Sequence, residues 1–304
     1  MTRTLELQEW QLAWVRDVVA ARCGLYLGGP HEPHLSGHVA TRMRELHQNF
    51  GDYARVLQES PVGGGELQTL IERLCIHETS FMRDAAHFHA LARFIVPQLV
   101  RDAQRDGRRR LRFVSAGCST GQEAYSLAMI AAEAHPLLED IDVEVVGLDV
   151  SGEAIDRAMR GRYMTRELLG LEPWRRERYF VQAGADHHEV VPTLRRAVRW
   201  LRCNVADVLP VTQVDVVFCR NVLIYFQGAQ REALVRNLVG ALRRNGFFVA
   251  GFADSLQAHR DILEPIRTNG TVIFRRAQRS ALVLGPLDSR AGGSLAASPT
   301  RSAR

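Results

Sequence analysis

"VSAGCSTGQEAYSLAM", residues 114–129, passes from an apolar run through Gly117 and Gly121 into a helical repeat, and the reading of this bend decides the fold. A strand that enters a helix through glycines puts backbone N–H groups and a helix N-terminus at the carboxyl edge of a parallel sheet, where ligands bind. The G-x-x-x-G spacing matches neither the G-x-G-x-x-G of dinucleotide sites nor a P-loop. The chain contains no lysine, so chemistry that needs a P-loop lysine or a Schiff-base lysine is excluded.

The same alternation continues on both sides of the bend. "RLRFVSAG" (110–117) reads as a strand, 121–134 as a helix, "IDVEVVGLDV" (141–150) as a strand and 152–160 as a helix. "VDVVFCRN" (214–221), the amphipathic stretch 229–243 and "GFFVAGF" (246–252) keep the rhythm, which predicts a parallel sheet covered on both faces. Between them, 161–203 holds short alternating segments, "HEVVPTL" and "AVRWLRC" among them, and predicts a small antiparallel insertion. Upstream, residues 5–75 repeat their apolar positions at three and four, as in Leu12, Val15, Val18 and Val19, and predict a helical domain with loops at 27–34 and 60–65. The expected organisation is a helical domain at 1–75, a sheet domain at 76–276 and a disordered tail at 277–304.

Composition narrows the class. With 304 residues, 46% apolar and 24% charged, the chain is long enough for about two domains and a large core. Its net charge of +5 is spread along the sequence and does not favour nucleic acid. Cys23, Cys75, Cys118, Cys203 and Cys219 stand far apart without a C-x-x-C pair, so reduced thiols and a cytoplasmic location are expected. No run approaches a membrane span, and no signal pattern opens the chain. His187 with His188, and "HEPH" at 31–34, lack a third ligand at a useful spacing and read as solvated histidines, so no metal is expected.

Three places carry polar residues to one sheet edge. Asp149 ends the strand after the bend, where an acid accepts both hydroxyls of an adenosine ribose or, alternatively, caps the following helix. Glu123 stands in the first helical turn, as a ligand or as a partner of the helix dipole. "FCRNVLIYF" (218–226) sets Arg220, Asn221 and Tyr225 in an apolar run, where they form a site or satisfy a turn and the core. "IHETSFMRD" (76–84) gathers His77, Glu78, Thr79, Arg83 and Asp84 just before the sheet, as a site or as a helix start.

Taken together these stretches resemble the CheR-type, S-adenosylmethionine-dependent methyltransferases that esterify glutamate side chains of chemotaxis receptors. "IHETSFMRD" looks like that family's N-E-T-x-F-F-R, the bend like S-A-G-C-S-T-G-E-E-P-Y-S-L-A-M, and "FCRNVLIYF" is nearly identical to its counterpart. "AMRGRYMTRELL" and "LRCNVAD" fit two further elements, and the resemblance runs over about residues 5–276. It implies an α/β fold: a Rossmann-like methyltransferase sheet with a small antiparallel β insertion and a last antiparallel strand at "TVIFRR" (271–276), preceded by an all-α N-terminal domain.

The resemblance also assigns roles. It implies S-adenosylmethionine as cofactor, with Thr79 and Arg83 at its methionyl end or at the substrate carboxylate, and Glu123 and Asp149 at the adenosine portion. Asn204, Val205, Arg220 and Asn221 complete the pocket, and Tyr225 faces the transferred methyl group, so Arg83 and Tyr225 are the expected catalytic residues. His77 belongs to the same set but stands where the family has asparagine; Gln122 and Ala124 replace the E-x-P of the bend, and "GFADSL" (251–256) replaces G-H-S-E-S-L. The implied partner is the cytoplasmic helical domain of a chemoreceptor, bound by a monomer. The helix at "HLSGHVATRMRELHQ" offers Arg42 and Arg44 for docking on it. A different protein or small-molecule substrate, and a regulatory module that binds the cofactor without turnover, are the other two readings.

Overall fold

The computed structural model describes residues 7–278 except 29–31, 62–63, 76–77, 139, 253 and 269. Four helices come first: α1 (Glu9–Cys23), α2 (Glu32–Glu45), α3 (Phe50–Glu59) and α4 (Gly65–Leu74). They close over their own apolar cluster, which includes Val15, Val39, Tyr53 and Leu70. A polar tie runs through it: Arg42 pairs with both oxygens of Glu66, at 2.8 Å from Nε to Oε1, and the Tyr53 hydroxyl donates to the same carboxylate at 3.0 Å. Arg42 is thereby turned into the bundle and its side chain is only 13% exposed. Of the two arginines expected to offer docking charge, Arg44 alone is exposed. The helical periodicity of α2 does not tell which arginine faces inward; Glu66, on another helix, decides it.

The rest of the chain is built on strands β1 (Arg110–Ala116), β2 (Asp142–Asp149), β3 (Arg162–Met164), β4 (Phe180–Gln182), β5 (His187–Val190), β6 (Val198–Arg202), β7 (Val214–Cys219), β8 (Leu242–Ala250), β9 (Leu263–Thr268) and β10 (Thr271–Arg276). Seven of them form one sheet in the order β6-β2-β1-β7-β8-β10-β9. β6, β2, β1, β7 and β8 are parallel, and β10 runs antiparallel between β8 and β9, as the resemblance implied for "TVIFRR". The chain leaves β1 toward β2 and later returns past it to β7. The connections after β1 and β7 therefore part in opposite directions, which opens a crevice at their carboxyl ends.

Helices α5 (Ala85–Ala90), α6 (Val96–Arg105), α7 (Gln122–Glu133), α8 (His135–Leu138), α9 (Gly152–Arg160), α10 (Pro173–Tyr179), α11 (Pro192–Arg196) and α12 (Gly228–Ala241) fill the connections. Phe113, Leu127, Phe218 and Phe247 pack on one face of the sheet, and Val114, Val146, Val217 and Phe248 on the other. Burial on both faces is why β7 reads as an uninterrupted apolar run apart from Asp215. That acid is satisfied, accepting from the Arg112 N–H at 2.8 Å and from Arg108 at 2.9 Å. A π turn at Leu91–Ile95 joins α5 to α6 just ahead of Pro97, whose missing N–H and bulky ring disfavour a regular α turn there.

One expectation is corrected. The small antiparallel sheet, in the order β3-β5-β4, ends at Val190, and "AVRWLRC" forms β6, the parallel edge strand beside β2. Its alternation arises because an edge strand is covered unevenly. Trp200 turns inward over Gly147, where a Cβ would lie 2.6 Å from the indole, while Arg199 and Arg202 stay at the surface.

Candidate functional site

The loop after β1 is held to β2 before any ligand is considered. Gly117 and Cys118 donate their N–H groups to the Leu148 carbonyl at 2.8 and 2.9 Å. Asp149 then accepts from the Ser119 N–H at 2.7 Å and from the Ser151 N–H at 2.9 Å. The cap of α9 is Ser151, whose hydroxyl accepts from the Ala154 N–H at 3.1 Å, so the capping alternative for Asp149 does not hold. Gly117 has φ +77°, and a Cβ on it would lie 2.3 Å from Val222. Gly117→Ala is expected to lower stability by about 2–4 kcal/mol, through left-handed strain and overpacking, as a fall in the thermal midpoint would show. Asp84, Ser119 and Asn221 also have positive φ; Ser119 and Asn221 line this crevice, and Asp84 pairs with Arg220, which lines it too. Such strain persists where the surroundings impose it, commonly at functional sites.

The crevice has two compartments. One is apolar, walled by Leu25, Leu27, Leu74 and Val205, with Asp149 and Asn204 at its polar end. The other is polar and is lined by Glu78, Thr79, Arg83, Glu123 and Arg220. Gly117, Ser119, Asn221 and Tyr225 line both, so the compartments meet at these four residues.

At the base of the polar compartment Arg220 has a side chain only 1% exposed and lies between two acids, with Nη1 at 3.2 Å from Glu123 and Nη2 on Asp84. Glu123 also accepts from the Ser115 hydroxyl at 2.7 Å. Burial pushes the Glu123 carboxyl up, and the Arg220 charge and the Ser115 hydroxyl oppose that shift. Arg83 sits nearer the surface and donates to the Glu78 carbonyl at 2.8 Å. Asn204 bridges two parts of the chain, donating to the Cys23 carbonyl at 3.1 Å and accepting from the Ala206 N–H at 3.0 Å.

The structure thus brings Thr79, Arg83, Glu123, Asp149, Asn204, Val205, Arg220, Asn221 and Tyr225 to one crevice, and His77 lies outside the described residues. The two acids expected together at the adenosine portion stand apart: Glu123 lines the polar compartment with Arg220, and Asp149 lines the apolar one. An apolar slot ending in a fixed carboxylate suits a nucleoside, and a compartment with both buried acid and arginine suits a zwitterionic amino acid. Among the described residues no three His, Cys, Asp or Glu side chains gather as a metal site.

Comparison with known proteins gives the family. The family model described as "CheR methyltransferase, SAM binding domain" matches residues 77–272. The chain belongs to the CheR methyltransferase family. Chemotaxis protein methyltransferase 1 of Pseudomonas aeruginosa is 30% identical over 83% of this chain and 93% of its own length. The chemotaxis protein methyltransferase of Escherichia coli is 29% identical over 84% and 87%. A probable biofilm formation methyltransferase, WspC of Pseudomonas aeruginosa, is 34% identical over 86% of this chain and 61% of that protein. The protein is a CheR methyltransferase and its cofactor is S-adenosylmethionine.

In this CheR chain the departures within the bend point away from the crevice. Gln122 is buried, bonded to Thr120 at 2.8 Å and to Glu167 at 3.2 Å, where its amide donates to a carboxylate that a glutamate would repel. Ala124 lies in the core. The residues that sequence reading missed are Leu25, Leu27, Leu74 and Cys75, which line the slot from the N-terminal segment. Leu25 and Leu27 follow Gly24, the left-handed residue that ends α1. That glycine and the break in periodicity behind it are the only signal that these leucines leave the helix. Among the described residues no helix is long and apolar enough to cross a membrane.

Proposed function

We propose that this CheR methyltransferase esterifies glutamate side chains in the cytoplasmic helical domain of a chemoreceptor, giving glutamate methyl esters and S-adenosylhomocysteine. The carrying observation is the junction of the two compartments, where Tyr225 meets a polar space lined by Arg83. The names of the chemotaxis relatives supply the substrate class.

When bound, S-adenosylmethionine supplies a methyl group already activated on a sulfonium. Asp149 accepts the ribose hydroxyls, and Asn204 and Val205 border the adenine. Glu123 and Arg220 hold the charged amino-acid end, with Thr79 and Asn221 completing the contacts. Arg83 orients the incoming carboxylate through hydrogen bonds, and Tyr225 shapes the passage to it. A glutamate carboxylate is ionised at neutral pH, so no general base is needed. What the residues contribute is alignment at about 3–3.5 Å and exclusion of water from a reaction that neutralises charge. Arg83 is suited to orientation because a fully paired carboxylate would be a poorer nucleophile.

Incubation of the protein with a chemoreceptor cytoplasmic fragment and methyl-labelled cofactor is expected to give label on glutamate that alkali releases as methanol. Label that resists alkali, or none on the fragment, would refute the assignment.

A further inference from the structure

Beside the crevice lies a second, wider cleft of about 630 Å³, formed where the segment after β8 faces the β9–β10 hairpin. It is a neighbour of the reaction centre. A Cβ on Gly251, in its floor, would approach both Asp254, inside the cleft, and the backbone N of Asn221 in the crevice, at 2.9 and 3.3 Å. From "GFADSL", which the family resemblance left unexplained, Gly251, Phe252, Asp254, Ser255 and Leu256 supply part of its wall.

Three buried polar atoms in this wall lack a hydrogen-bond partner: Nδ1 of His87, Oδ1 of Asp254 and Oγ1 of Thr271. The cation nearest Asp254 is Arg231, at 3.8 Å. Burial and the Arg220 charge push the pKa of His87 down to about 4, so its imidazole is neutral at physiological pH and is only 1% exposed. Buried polar groups are normally satisfied, so three orphans behind one cavity wall mark a wall that the fold by itself leaves polar and incompletely paired. Phe252 covers His87 at 4.7 Å between ring centroids, nearly parallel to it, yet is itself 62% exposed. Arg260 and Arg267, also in the wall, are exposed and have no ion-pair partner among the described residues.

An aromatic plate, unsatisfied polar atoms and two unpaired arginines fit a peptide surface of mixed character and negative charge. We infer that this cleft seats the residues flanking the target glutamate in the substrate protein, binding an acidic helical segment through Arg260, Arg267 and Phe252. This rests on the protein-glutamate reading above and adds which surface selects the substrate.

The test uses the full chain with S-adenosylhomocysteine and a fluorescent peptide of a receptor methyl-accepting helix whose target glutamate is glutamine, so that binding is read without transfer. Arg260→Glu with Arg267→Glu is expected to weaken peptide binding at least 10-fold and to leave cofactor binding unchanged. Phe252→Ala is expected to weaken it several-fold without removing its salt dependence. All three side chains are exposed, so the substitutions spare the core. Equal affinity of the wild-type and charge-reversed chains, or no binding to wild type, overturns the cleft assignment. Peptide binding that falls as expected, with no alkali-labile ester formed on the unmodified receptor, overturns the glutamate reading and leaves the cleft standing.

Discussion

Asp149→Ala is expected to weaken S-adenosylmethionine binding by roughly 10²–10⁴-fold, measured by calorimetry, and to abolish methyl transfer at ordinary cofactor concentrations. Hydrogen bonds to a charged acceptor contribute about 1.5–3 kcal/mol each, and a ribose offers two donors. The same carboxylate also fixes the Ser119 and Ser151 N–H groups at 2.7 and 2.9 Å, so its loss frees the loop that carries the junction. S-adenosylhomocysteine shares the ribose and should lose affinity by the same factor. A loss below 10-fold for both ligands would show that the ribose is held elsewhere. Asp149→Asn keeps one acceptor and should fall between the two.

Arg220→Met should cost about 3–5 kcal/mol of stability, the usual penalty for breaking a buried ion pair from one side. In a chain of this size that lowers the thermal midpoint by roughly 10 °C. Glu123 and Asp84 would then face each other without the cation that sits between them. Burial already raises the Glu123 carboxyl, and removing Arg220 removes the main opposing influence. A carboxyl whose folded pKa lies above its unfolded value favours folding when protonated, below the unfolded pKa. That contribution is lost as pH rises through the folded one. The deficit of Arg220→Met should therefore be largest at neutral pH and shrink on acidification, as denaturant titrations at several pH values would reveal. A deficit that does not change with pH would mean that Glu123 takes no part in it.

The sheet and its ligand edge were legible because their signals are local. An uninterrupted apolar β7, the glycines of the bend and the terminal acid of β2 each state their role within a few residues. β6 was misplaced because alternation reports uneven covering, not the direction of the neighbouring strand. Arg42 was misjudged for a related reason: its partner Glu66 is 24 residues away, on a helix whose rotation the sequence does not give. Glu123 and Asp149, expected together at one portion of the cofactor, line different compartments. Glu123 lines the polar compartment because it pairs with Arg220, 97 residues further along. Residue type and spacing thus located the site, and contacts between distant parts of the chain divided it.

The N-terminal helices reach the slot through more than its leucines. The Tyr26 N–H donates to the Tyr225 carbonyl at 2.7 Å, and Asn204 is tied to Cys23 at the end of α1. The same few residues therefore close the apolar slot and dock the helical part on the sheet. With the nucleoside seated in that slot, as proposed, cofactor occupancy and the seating of those helices are linked equilibria. Anything that grips the outer surface of α1–α4 and shifts them changes cofactor affinity by some factor, and bound cofactor must change that grip by the same factor.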